Sequence, residues 1–283
     1  MSSAPPPEDQ PPYQPFQQYY NPTPPAQRPS YRQRGGFLGG LLALLAAAFA
    51  YGKWALLFVV KFGAVKTLLT LFLSFGLYAW AYGPWFAAGL VVMILLHEMG
   101  HVVEIRRQGM QASAPLFIPF FGAAIFQRQH PTDALKQAQI GIAGPIAGTV
   151  AATAAFVMYG ATHSPILLLS AYLGYLINLF NLIPLGMLDG GWILAVVSKW
   201  FQIVGLVVLV VAVFVIGLSP VVLIIAILGI PTVIERFRND RLPYYQSVPM
   251  SARLAMGAAW LILTVYLAFA FHQTHDLLTT FVR

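Results

Sequence analysis

The chain has 283 residues, of which 58% are hydrophobic and only 9% charged, whereas a soluble domain carries about a quarter charged residues. That composition excludes a water-soluble globular fold and points to a polytopic membrane protein. A formal net charge of +7 invites nucleic acid, but Lys and Arg stand scattered at the ends of apolar runs, as the positive-inside bias places them, so no nucleic-acid partner is expected.

Residues 1–34 are rich in Pro, Gln and Tyr with almost no aliphatic side chains, and read as a disordered cytoplasmic tail. Residues 41–50 superficially resemble the apolar core of a signal peptide, but the polar stretch ahead of them is too long for one. From 35 to 62 the chain is apolar yet interrupted by Lys53 and Lys61, which suits a re-entrant or interfacial segment better than a clean span. Clearer helices are predicted at 64–82, 84–105, 134–160, 165–184 and 254–271, each of a length that suits a bilayer. The run 200–232 is too long for one span, and Gly217 with Pro220 is predicted to break it into a helical hairpin. A short helix after Gly190 joins this hairpin to the preceding span. Residues 113–127 carry Pro115, Pro119 and Gly122, too broken for a helix, and suit a strand or re-entrant loop. The expected fold is all-α and polytopic, with about six to seven transmembrane helices and one re-entrant strand or loop. Arg106, Arg107, Lys136, Lys199, Arg236, Arg238, Arg241 and Arg253 then fall on one side, read as cytoplasmic.

Within the second helix stands His97-Glu98-Met99-Gly100-His101. Residues four apart share a helical face, so both imidazoles can reach one metal ion, while Glu98 lies close enough to take a proton from water. The bland alternative, helix-end histidines bonded to neighbours with Glu98 paired to Arg106 or Arg107, is weakened by the rarity of ionisable groups in membrane segments. Cysteine is absent, so a third ligand must be His or a carboxylate. Asp189 follows a long apolar helix and precedes Gly190-Gly191, on the same expected side as His101; read alone it is also a fair helix cap. Glu104 competes as a ligand, although its place beside Arg106 and Arg107 suits a surface or outer-shell role.

The order of motifs resembles the site-2 protease family of intramembrane zinc metalloproteases. The resemblance rests on HEMGH at 97–101, Arg106-Arg107-Gln108-Gly109, the Pro- and Phe-rich stretch 114–122, Gly141-Ile-Ala-Gly-Pro145, and Asn181-Leu-Ile-Pro-Leu-Gly-Met-Leu-Asp189-Gly190, the family's NxxPxxxLDG pattern. It covers roughly residues 60–200. It implies one Zn2+ per chain on His97, His101 and Asp189, with Glu98 as the catalytic base and Asn181 stabilising an oxyanion or orienting substrate. Residues 63–200 would be the catalytic core and 201–283 further transmembrane helices. The chain would be a minimal member, with neither a PDZ insertion nor CBS modules in its loops. The implied activity is hydrolysis of a peptide bond in or near the transmembrane segment of a membrane-anchored protein. The expected setting is the bilayer of a prokaryotic plasma membrane, with the site toward the cytoplasm.

A scissile amide in a helical substrate is locked in its own hydrogen bonds, so the substrate must be unwound and held. Residues 113–127 are expected either to offer it a strand edge or simply to pack under the bundle. The glycine stripe Gly141, Gly144 and Gly148 is expected to let helices approach closely, with no part in the chemistry. Two other functions use the same residues: a catalytically silent scaffold, which would be expected to lack Glu98 or a ligand, and a metal transporter, which commonly shows internal repeats.

Overall fold

The computed structural model describes residues 63–120, 122–216 and 220–282, all within one compact unit. The readings of 1–34 as a tail and of 35–62 as a re-entrant segment lie outside the described residues.

Helix α1 spans Gly63–Tyr82 and α2 spans Pro84–Arg107. Gly83 between them takes φ 92, a left-handed value that glycine adopts without strain, and Pro84 opens α2 where a missing N–H costs nothing. Arg106 and Arg107 close α2, where cations complement the carbonyl end of the helix dipole. Helix α3, Ala134–Thr162, starts on Asp133, whose Oδ1 accepts from Lys136 N at 2.9 Å as a cap, and ends on His163 in the left-handed region. Helix α4, Pro165–Asn181, stops three residues short of the expected 184. Pro184 is the reason: its ring disfavours helical geometry in the residue before it. Then come α5, Asp189–Ala195, and the hairpin of α6, Trp200–Ile216, with α7, Pro220–Arg238. After the single turn α8, Pro243–Gln246, helix α9 runs over Met250–Val282. It outlasts the apolar run read at 254–271, because beyond that run Thr274 bonds back to the Ala270 carbonyl and His272 pairs with Asp276 one turn on.

Among the described residues, α1, α2, α3, α7 and α9 are long and apolar enough to cross a bilayer, while α4 and α6 are shorter apolar helices. The architecture is the expected all-α polytopic one. Helix α2 is the most buried of the spans and packs against α1, α3 and α4; α9 lies along α4, and α6 pairs with α7. Met93, Ala138, Ile142, Ala152, Ala171, Tyr175, Ile193 and Leu267 join α2, α3, α4, α5 and α9 in one core, while α1 and the α6–α7 hairpin contribute to two others. Leu68, Phe72, Val207, Phe214, Leu261 and Ile262 are left exposed, a surface made for lipid. Trp80, Tyr82 and Trp85 are exposed around the α1–α2 turn, as aromatic residues are at a membrane–water boundary.

Among the described residues, the strands lie within 113–127. Strands β1, Leu116–Ile118, and β2, Gly122–Ala124, pair antiparallel with Leu116 opposite Ala124. This hairpin hangs from α1. Thr67 Oγ1 donates to the Pro115 carbonyl at 2.6 Å, Phe117 N to Thr70 Oγ1 at 3.2 Å, and Phe120 N to the Tyr78 hydroxyl at 2.8 Å. Phe120 sits at φ 66, a region costly for a bulky residue, and its ring meets the edge of Tyr78 at 5.5 Å. A strained tip held by a neighbour is a placed structure.

Candidate metal centre

His97 and His101 stand one turn apart on α2 and Asp189 opens α5; all three are buried. Their ring nitrogens meet the carboxylate directly. His97 Nε2 lies 3.1 Å from Asp189 Oδ2, His101 Nε2 lies 3.3 Å from Asp189 Oδ1, and the two Nε2 atoms are 3.2 Å apart. The other ring nitrogens decide what this means. His101 Nδ1 is 2.8 Å from the Ile140 carbonyl, which can only accept, so Nδ1 carries the proton. His97 Nδ1 is 2.8 Å from Asn178 Oδ1, and the Asn178 amide is oriented because its Nδ2 donates to the Gly174 carbonyl at 2.6 Å. His97 Nδ1 is therefore the donor too. Both Nε2 lone pairs and the carboxylate then point at one place, and Asp189 Oδ2 is buried with no hydrogen-bond partner. Three acceptors so arranged repel one another, and a cation between them removes the conflict. Among the described residues these are the three whose ligand atoms could hold a metal ion.

Asp189 does not cap its helix: it follows the N-cap residue Leu188, and its side chain is turned to the imidazoles. Glu104 is taken by Arg107, at 2.6 and 2.9 Å, and by Gln108 at 2.8 Å, away from the three ligands. Glu98 pairs with neither arginine. It lines a cleft together with the three ligands, Asn181, Gln127 and residues 123–125 of the β2 segment. Asn181 is thus at the site, with its Nδ2 donating to the Ile177 carbonyl at 3.0 Å. On its other side Asn181 borders an apolar cavity of about 470 Å³ lined by Tyr78, Phe86, Phe120 and Ile225 among others.

The glycine stripe does more than bring helices together. A Cβ on Gly144 would overlap the His101 ring, and one on Gly148 would overlap the Asn178 amide. Gly144 and Gly148 of α3 are each a notch into which a polar side chain fits. Motif reading gave the stripe only a packing role because it could not say what stood opposite.

The Asp189 segment is fixed from behind by the C-terminal helices. Trp260 of α9 donates to the Leu182 carbonyl at 2.8 Å, Gln202 of α6 to Gly191 at 2.8 Å, and Arg236 of α7 to Ala195 at 2.8 and 3.1 Å. Arg253 of α9 reaches Val196 at 3.0 Å. The carbonyls of Leu182, Ala195 and Val196 lie before α5 or at its free end, where the helix offers no partner, and that of Gly191 lies within it. Arg236 also bonds Asp240 at 2.8 Å and stacks 3.7 Å over the Tyr245 ring. Lys199 and Arg236 together hold the Asp240 carboxyl below the usual aspartate range. Replacing Arg236 by Met should leave the Ala195 carbonyl without its donor at a cost of about 1–3 kcal/mol. Thermal unfolding in detergent should show the drop; an unchanged midpoint would mean that this anchor is idle.

These residues sit inside recognisable likenesses. Peptidase family M50 matches residues 85–164, which hold both histidines and Glu98 but end before Asp189. The chain is 30% identical over 116 residues to the zinc metalloprotease MJ0392 of Methanocaldococcus jannaschii, covering 39% of this chain and 33% of that relative. It thus spans about a third of the length of the curated relative. Both matches support the site-2 protease family, in agreement with the motifs.

Proposed function

We propose that the protein is an intramembrane zinc metalloendopeptidase that cuts membrane-anchored proteins in or near their transmembrane segment, in regulated intramembrane proteolysis. The observation that carries this reading is the convergence of His97, His101 and Asp189 at 3.1–3.3 Å with Glu98 in the same cleft. His97 and His101 would hold zinc through Nε2 and Asp189 through its carboxylate. Zinc bound there supplies Lewis acidity toward the attacking water and the scissile carbonyl. Glu98 accepts the proton that the water loses as it adds to the carbonyl carbon, and returns it to the amine nitrogen as the C–N bond breaks. Asn181, at the border of cleft and apolar cavity, orients the substrate or stabilises the developing oxyanion, swinging its amide away from Ile177 to do so. Arg106 and Arg107 at the end of α2 support a site toward the cytoplasm of a cell membrane.

The β2 segment receives the unwound substrate as an added strand, its backbone taking over the hydrogen bonds that the substrate helix gives up. The placement of residues 123–125 on the cleft wall supports this role. Tyr78→Phe should then loosen the tip of the hairpin and lower cleavage several-fold while zinc content stays constant. Undiminished cleavage would make the hairpin a packing element only.

The test of the central proposal is zinc content and cleavage of a single-span membrane protein by the purified full chain, with Asp189→Ala alongside. The expected result is about one zinc per chain in the wild type, lost together with cleavage in the variant. A wild-type protein that takes up no zinc, or a variant that keeps its metal, would overturn it.

A further inference from the structure

Resting on the metal reading above, we infer that Asn178 is a positioning residue for the zinc site, acting through His97. It is fully buried, at 0% exposure, in a mostly apolar helix face. A primary amide in such a place needs its hydrogen bonds satisfied, and both atoms of its head are committed in a fixed sense. Nδ2 gives a proton to Gly174 O at 2.6 Å, within its own helix, and Oδ1 takes one from His97 Nδ1 at 2.8 Å, across to α2. The first bond dictates the second. Because the Gly174 carbonyl only accepts, the amide cannot flip, and the group facing His97 is always an acceptor.

That acceptor does two things to His97. It holds the proton on Nδ1, which keeps the lone pair on Nε2, and it fixes the rotation of the ring so that this lone pair points at Asp189 and His101. His101 receives the same service from the Ile140 backbone carbonyl. His97 has a side chain instead, so its orientation depends on a residue that mutation can remove. Gly148 completes the device: its missing Cβ is the space the Asn178 head occupies, so α3 closes over the amide.

The NxxPxxxLDG pattern directs attention to Asn181, three residues on, which the structure bonds to its own helix. The two amides have separate tasks. Asn181 faces the cleft, while Asn178 faces a ligand.

The experiment measures zinc affinity of the detergent-purified full chain by competition with a chromogenic chelator, for wild type, Asn178→Asp and Asn178→Leu. Asp keeps an acceptor for His97 but loses the donor to Gly174; Leu keeps the volume and loses both. A residue that merely fills space predicts Leu to bind zinc better than Asp, since Asp buries a carboxylate against a carbonyl. Positioning predicts the reverse, with affinity falling about 10- to 100-fold in Leu and largely kept in Asp. Should Leu fail to fold, Asn178→Ala carries the same comparison. Equal affinities in all the folded variants, or Leu ahead of Asp, would overturn the inference while leaving the metal site intact. Absence of zinc from the wild type would instead remove the metal reading itself.

Discussion

Glu98→Gln should purify with its full complement of zinc and cleave a membrane substrate about 10²- to 10⁴-fold more slowly than the wild type. The two halves of this result come from separate features. Zinc should stay because the ligand atoms belong to His97, His101 and Asp189, and the glutamine amide matches the carboxylate in size inside a cleft where Glu98 is only 7% exposed. Cleavage should collapse because an amide oxygen cannot accept and carry the proton that passes from water to the leaving amine. The charge of Glu98 is paired with neither arginine weighed for it by sequence, and Arg107 is engaged by Glu104 instead. The measurement is metal content by mass spectrometry beside single-turnover cleavage. Loss of zinc would make Glu98 a ligand, and retained cleavage would require another base.

Gly144→Ala should abolish zinc binding in a protein that still assembles its helices. One added methyl group is ordinarily mild in a helix, and replacing glycine there gains about 0.5–1 kcal/mol of backbone stability. Here the methyl would overlap the His101 ring beside its metal-facing nitrogen. His101 cannot retreat, because Nδ1 is tied to Ile140 O and the ring is packed against α3. Either the ring swings off the metal or α3 parts from α2, and both dismantle the site. Gly160 supplies the control on the same helix: nothing lies within 4 Å of a Cβ built there, so Gly160→Ala should bind zinc and cleave as the wild type does. Chelator-competition affinities for the pair decide the matter. Equal zinc affinity in Gly144→Ala and wild type would show that the notch is not needed.

The contrast between these glycines explains what sequence can and cannot reveal. The meeting of His97, His101 and Asp189 was legible because helical spacing turns the two histidines into a local geometric statement, and because Asp189 is one of few carboxylates in an apolar chain. The spans were legible from their length. Asn178 was not, since an amide in a membrane helix is equally consistent with any interhelical bond, and only the fold puts it opposite His97. The hairpin at 116–124 was anticipated as a break in the helical pattern, but its suspension from Thr67, Thr70 and Tyr78 depends on contacts about 40–50 positions apart, which no local pattern encodes. The last turns of α9 were missed for the opposite reason, since helix there persists through local bonding after hydrophobicity stops.

The four carbonyl anchors behind Asp189 bear on how this site can be taken apart or transplanted. Two of the proposed ligands come from a helix deep in the bundle, and the third from a short helix gripped by side chains of α6, α7 and α9. The span that carries the M50 likeness, 85–164, is therefore not a cassette. Grafted into another bundle it would bring two histidines and a base without the clamp that aims the third ligand. Expressed as separate fragments divided between α5 and α6, the two parts should regain a metal site only by reassembling, which makes metal uptake a reporter of that complementation.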